Sequence, residues 1–190
     1  MDSKATLMES ERFALRELCD EDADRILGWR NSDSIRLCMF HSELITPEEH
    51  RSWFSSARDS EDARYLVFEC DGIPSGFVSF LGLAKGSRVA KWGFYLSPTA
   101  PPGQGLGSIM GYLALYYGFE SLRLHKVVGE VFSSNPSSIA IHKKLGFVLE
   151  GTLRSHHARG QMYCDVLVFG LLEQEWPLIA NQMKPRILPL

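Results

Sequence analysis

Three segments rich in β-branched and aromatic residues follow one another in mid-chain: Tyr65–Glu69, Ile73–Leu83 and Val89–Leu96. The first two flank Asp71-Gly72, a dipeptide suited to the positive-φ positions of a tight hairpin turn. Strands joined this closely run antiparallel. Prolines and glycines then interrupt the pattern from Pro98 to Gly107, and a stripe of Ile109, Leu113 and Tyr117 at helical spacing follows. This order excludes a doubly wound parallel sheet, which needs a crossover helix between successive strands.

The flanking sequence extends the pattern. Phe13–Leu18 reads as a strand, and Asp20 is placed to cap a helix carrying Ala23, Ile26, Leu27 and Arg30. Thr46-Pro47-Glu48-Glu49 is a capping box with proline at the first helical position, so a second helix is expected to about Ala57. Beyond the central helix come a strand at Lys126–Phe132, a helix opened by Asn135-Pro136 and closed by Gly146, and two strands, Phe147–Leu153 and Cys164–Leu171, turning near Arg159-Gly160. The expected order is β-α-α-β-β-β-α-β-α-β-β. It describes an α+β domain with a mixed, mostly antiparallel sheet flanked by helices. At 190 residues the chain fits one domain, 1–190, with an irregular tail over 184–190 that contains two prolines.

Composition narrows the classes further. Lys+Arg 20 against Asp+Glu 23 gives a net charge of −3, unlike the basic excess of a nucleic-acid coat protein. The four cysteines, Cys19, Cys38, Cys70 and Cys164, show no C-x-x-C spacing. They read as free thiols in a reducing compartment, which points to the cytoplasm. His156-His157 brings no third metal ligand with it, so no metal is expected. Neither a leader peptide nor a membrane span is expected, because Met1–Glu11 and Leu113–Phe119 lack a long apolar run. The strand Cys164–Leu171 is an expected pairing surface between two copies of the chain.

The loop Pro102-Gly103-Gln104-Gly105-Leu106-Gly107 joins a strand to a helix. Glycines let the backbone approach a ligand closely, and the helix start adds free N–H groups and the positive end of a dipole. Such a loop suits phosphate. Glycines needed only for the turn are an equally good explanation of the loop by itself. No Gly-Lys-Ser/Thr follows, so it is not a Walker A loop, and the G-x-G-x-G spacing does not fit a dinucleotide fingerprint.

Thirty residues on stands Asn135-Pro-Ser-Ser138-Ile-Ala-Ile141-His142-Lys143-Lys144-Leu145-Gly146-Phe147, preceded by Glu130 in its strand. This stretch resembles the N-x-x-A-x-x-L-Y-x-K-x-G-F signature of Gcn5-related N-acetyltransferases (GNAT). The glycine loop resembles that family's Q/R-x-x-G-x-G/A pyrophosphate loop. Both occur in the family's order, and the resemblance spans essentially the whole chain. It implies acetyl-CoA as donor, bound by motifs within 88–147, with the acceptor read by residues 1–60. By the same resemblance, the amides of Gly103, Gln104, Gly105, Leu106, Gly107 and Ser108 hold the pyrophosphate, and Leu96 and Asn135 contact the pantetheine arm. Glu130 is the implied base that takes a proton from the acceptor amine. His142 stands where the family's acid Tyr stands, so it is either that acid or an ordinary helix residue; a histidine near ~6.5 can protonate a thiolate near ~8.5. Pro102 replaces the loop's first Gln or Arg and removes one side-chain contact.

The N-terminal half carries Trp29-Arg30-Asn31, Met39-Phe40 and Ile45-Thr-Pro-Glu-Glu-His50-Arg-Ser-Trp53-Phe54. This pattern is similar to bacterial acetyltransferases of nucleotide-linked amino sugars, of the pseudaminic acid type, which modify the 4-amino group of a UDP-linked dideoxy sugar. On that resemblance Arg30 and His50 meet phosphate or ribose, Met39, Phe40 and Trp53 flank the base or the sugar, and Ser79 and Tyr95 orient the acceptor. The same positions also read as core residues. Ribosomal-protein and spermidine acetyltransferases share parts of the pattern and leave a peptide amine or a polyamine as the alternative acceptor. A further alternative is a domain that binds acetyl-CoA without catalysis.

Overall fold

The three mid-chain strands form the centre of one eight-stranded sheet, in the order β1-β2-β3-β4-β5-β6-β8-β7. The structure is a computed structural model that describes residues 6–9, 12–84 and 86–187. Its strands are β1 (Thr6–Glu9), β2 (Phe13–Glu17), β3 (Ala63–Cys70), β4 (Ile73–Leu81), β5 (Val89–Leu96), β6 (Lys126–Phe132), β7 (Val148–Arg159) and β8 (Met162–Leu172). The helices are α1 (Ala23–Asn31), α2 (Asp33–Arg36), α3 (Pro47–Arg58), α4 (Leu106–Tyr116), α5 (Pro136–Lys144) and α6 (Trp176–Ile187). All strand pairs are antiparallel except β5 with β6.

Period-two alternation along the strands gives the sheet two apolar faces. Val78, Phe80, Ala90, Trp92, Val127 and Val131 pack with α4 and with Trp176 of α6 in the larger core. Val67 and Phe77, with Tyr65 and Tyr95 beside them, pack on the other face against Ile26, Trp29, Ile35 and Phe54 from α1 to α3. A buried ionic cluster fixes α1 to the sheet edge. Arg16 on β2 reaches Asp22 at 2.6 Å and Glu69 on β3 at 2.6 Å, and Arg25 adds a second contact to Asp22 at 2.7 Å. Burial alone would raise the Asp22 carboxyl, but hydrogen bonds from Arg16 and from the Cys19 amide hold it below its usual value.

The expected caps of α3 and α5 are present. Glu49 N donates to Thr46 Oγ1 at 3.3 Å, and Thr46 N donates to Glu49 Oε2 at 2.8 Å. Gly146 closes α5 at φ 82°, a left-handed conformation that glycine adopts without strain.

Several expectations need correcting. Asp20 does not cap α1: it opens a 3-10 turn, Asp20–Asp22, and Asp22 stands at the cap position. The strand Cys164–Leu171 is no free edge, since β8 lies between β6 and β7, and the edge strand on that side of the sheet is β7. Helix α6 runs to Ile187, into the stretch expected to be irregular; residues 188–190 lie outside the described chain. No helix among the described residues is long and apolar enough to cross a membrane.

Candidate active site

Strands β5 and β6 pair in parallel only from Val89↔Lys126 to Trp92↔Gly129. Beyond that point each keeps its outer partner, β5 with β4 up to Leu96 and β6 with β8 up to Phe132, but not the other. The sheet therefore splits, and the inner backbone edge of Gly93–Leu96 is released from the ladder. A cleft of about 1030 Å³ occupies the split, and its lining comes from both faces of the sheet.

On the α4–α5 face the lining includes Leu96, Gly103, Gly105, Leu106, Gly107, Ser108, Asn135, Ile141 and His142. Gly103 and Gly105 have φ of +78° and +70°, and a Cβ at either would meet nothing within 4 Å. The loop thus presents open backbone, and Gly105 is the cap of α4. The Leu106 and Gly107 amides lie in the helix's first turn, ahead of its own carbonyl ladder. These features fit a diphosphate-bearing ligand such as CoA. Gln104 differs from its neighbours in lying outside the lining. Asn135 reaches the cleft, but its Oδ1 accepts from Ser138 N at 3.1 Å and so caps α5.

His142 is bound differently from a proton donor. The Trp92 indole N–H, which can only donate, lies 3.1 Å from His142 Nε2. Nε2 must accept, so the ring's one proton sits on Nδ1 and is donated to Ser138 O at 2.8 Å. The side chain is 2% exposed, and burial pushes its pKa down, against a smaller upward effect of the Ser138 carbonyl. Of the two readings of His142, family acid or ordinary helix residue, this geometry favours the second, because both ring nitrogens are engaged within the fold. Gly129 makes room for the ring; a Cβ there would stand 2.2 Å from Nε2.

On the α1–α3 face the lining includes Met39, Phe40, Ser79, Lys91, Gly93, Tyr95 and Glu130. Glu130 and Lys91 project to this face, and Lys91 Nζ contacts Glu130 Oε1 at 2.6 Å. Ser79 Oγ donates to Gly93 O at 3.4 Å. Burial raises the Tyr95 phenol, with Arg30 nearby opposing the rise. Phe40 packs on Phe132 with ring centroids 4.6 Å apart and on His157 at 5.2 Å.

Other expected acceptor contacts are not brought to the cleft. His50 is buried between α3 and α1, where its Nε2–H donates to Ala23 O at 2.8 Å. Trp53 packs edge-on or tilted among His50, Phe54, Tyr65 and Phe77. Both serve the core, because the face of α3 that carries them packs onto the sheet. Arg30 stands behind the lining, donates to His41 O and lies near Tyr95.

The sequence pattern also missed Lys91 and Trp92. In a strand, Lys91 resembles any solvent-facing lysine, and the partner of Trp92 lies fifty positions away.

Residues 12–148 match the model of an acetyltransferase (GNAT) domain. The chain is 31% identical over 139 residues to spermidine N(1)-acetyltransferase of Escherichia coli K12, covering 73% of this chain and 74% of that protein. It is 26% identical over 134 residues to the acetyltransferase PseH of Campylobacter jejuni, covering 70% and 81%. The fold superimposes on spermidine N-acetyltransferase of Vibrio cholerae, solved with CoA and spermine, with a TM-score of 0.80 at 24% identity, covering 88% of this chain and 99% of that one.

Proposed function

Because the chain belongs to the GNAT acetyltransferase family and is an N-acetyltransferase, we propose that it carries acetyl from acetyl-CoA to the 4-amino group of a UDP-linked amino-dideoxy sugar. The observation that carries this reading is the cleft through the sheet, with the glycine loop on one face and Glu130 on the other. When bound, acetyl-CoA supplies the acetyl group as a reactive thioester. Gly103, Gly105, Leu106 and Gly107 hold its diphosphate with backbone amides, beside Ser108, whose own amide is given to Gly105 O at 2.9 Å, and the released edge of β5 at Leu96, with Asn135 opposite, receives the pantetheine arm.

The acceptor enters from the α1–α3 face. An amine arrives largely as ammonium, so a base must remove one proton before nitrogen can attack. Glu130 takes that proton, directly or through one water. Nitrogen then bonds to the acetyl carbon as the carbon–sulfur bond breaks; the amide nitrogen gives up its second surplus proton to solvent, and the sulfur leaving group takes a proton from solvent in the open cleft. His142 acts as a positioning residue that, with Trp92, wedges β5 and β6 apart where their pairing stops. Met39 and Phe40 supply an apolar surface for the deoxy face of the sugar, while Ser79 and Tyr95 supply polar atoms to orient it.

A polyamine acceptor is the second reading, favoured by the relationship to spermidine N(1)-acetyltransferase. Against it stands the lining, in which Glu130 is the single carboxylate among the described residues and already holds Lys91. A polycation needs several carboxylates to replace its hydration.

The test is thiol release from acetyl-CoA with a UDP-linked 4-amino sugar, spermidine and a ribosomal-protein N-terminal peptide as acceptors. Turnover highest with the nucleotide sugar is expected. Turnover with the peptide or spermidine and none with the sugar would overturn the acceptor assignment.

A further inference from the structure

The whole chain carries a net charge of −3, yet three cations stand at or near the acceptor side of the cleft. Lys91 lines it, with its side chain 61% exposed. Arg30 lies just behind; it donates to His41 O, its Nη1 is buried without a hydrogen-bond partner, and no carboxylate among the described residues pairs with it. Burial lowers the Arg30 pKa, and the neighbouring Arg36 adds to this while Tyr95 opposes it. Arg159 leans in from the end of β7, bound to Met39 O at 3.2 Å and lying over the Phe132 ring at 4.5 Å, with no carboxylate partner among the described residues. Against these cations the lining offers the Glu130 carboxylate alone, and Lys91 occupies one of its oxygens at 2.6 Å.

We propose that Lys91 determines acceptor specificity by exchange: it pairs with Glu130 in the free enzyme and moves to an anionic group carried by the acceptor, which frees Glu130 to take the amine proton. The acceptor class is therefore an amine bearing a phosphate or carboxylate near the reacting nitrogen. This rests on the assignment of Glu130 as the base. An acceptor with a neighbouring anion gives the Lys91 ammonium a new partner, so the exchange leaves no charge unpaired. A polyamine offers no such anion, and its second ammonium meets Lys91, with Arg30 and Arg159 near by, a like-charge arrangement that rejects it. Lys91 reaches Glu130 diagonally, since its register partner on β6 is Val128, and its exposure leaves the ammonium room to swing.

The test measures kcat and KM at saturating acetyl-CoA for the full chain and for Lys91→Gln and Lys91→Glu. Four acceptors are compared: a UDP-linked 4-amino sugar, the same sugar without the nucleotide, a free amino acid and spermidine. Because Lys91 is exposed, both variants should keep the wild-type thermal midpoint. The expected result is that Lys91→Gln loses about tenfold of the wild type's preference for the anion-bearing acceptor over the unlinked sugar, mainly through KM. Lys91→Glu should shift preference toward spermidine. A preference for the amino acid, lost in Lys91→Gln, would overturn the nucleotide-sugar assignment and sustain the role of Lys91. An unchanged ratio between linked and unlinked sugar in Lys91→Gln would overturn the exchange and leave the nucleotide-sugar assignment standing. Wild-type turnover highest with spermidine would overturn both.

Discussion

The two faces of the cleft are built by different means. On the α4–α5 face, buried side chains fix the walls. Leu106, Met110 and Leu113 are almost inaccessible, and a Cβ at Gly111 would stand 2.5 Å from Leu145. On the α1–α3 face the wall includes an irregular loop between α2 and α3, tied down from outside by polar side chains. Arg36 donates to Ser42 O at 2.7 Å, Asn31 exchanges bonds of 2.8 and 2.9 Å with Ile45, and Arg159 holds Met39 O and Leu37 O. Close packing leaves little freedom to alter shape. A loop held by individual hydrogen bonds can change one tie at a time. On the proposed reading, the rigid face carries the common half of the reaction, binding the acetyl donor, and the face that polar ties hold carries the choice of acceptor.

The largest expected effect lies where the two faces meet. Glu130→Gln keeps the shape of the side chain and removes the base, so kcat at neutral pH should fall by about 10²- to 10⁴-fold, with KM for acetyl-CoA unchanged. Steady-state thiol release at pH 7 measures both constants, and a variant as fast as the wild type would remove Glu130 from the mechanism. Gly105→Ala should act on the donor face only. Its φ of +70° costs a residue with a Cβ about 1–2 kcal/mol, so the variant loop relaxes away from the anion-binding shape. KM for acetyl-CoA should rise roughly tenfold while acceptor KM stays constant. An equal rise in both constants would show that the faces are not independent.

How far each face was legible in the sequence follows the same division. The donor face is made of local signals: glycines at positive φ, a cap at Asn135 and a stop at Gly146. Each depends on neighbours in sequence, and the structure places these elements where the pattern does. The acceptor face depends on which side of a helix meets the sheet, and single-chain periodicity does not decide that. His50 and Trp53 therefore read equally well as ligand contacts or as core, and the packing of α3 makes them core. His142 shows the same limit on the donor side, because its role turns on Trp92, far away in sequence. The four-residue α2 is too short to show a period, and the strand order β6-β8-β7 is a tertiary outcome that places β8 inside the sheet although it is last in sequence.

The smallest expected effect compares the faces through their buried histidines, one on each. His142 is held by Ser138 O and Trp92, and His50 by Ala23 O. In both, burial lowers the pKa from the ordinary value of 6.5, and the carbonyl contact only partly opposes it. The folded state therefore binds fewer protons than the unfolded chain once pH drops to the range where free histidine titrates. Stability is complete above about 6.5 and is lost as pH falls below it. Each group can contribute a slope of at most about 1.36 kcal/mol per pH unit. Urea unfolding between pH 7.5 and 5.5 should show wild-type stability falling with acid, and His142→Gln and His50→Gln should each flatten the slope while lowering stability at pH 7.5. His142 has both nitrogens engaged and the lower exposure, so its substitution should flatten the slope more. Equal slopes in all three proteins would mean that neither ring is held neutral by the fold, and would reopen His142 as a proton donor at the cleft.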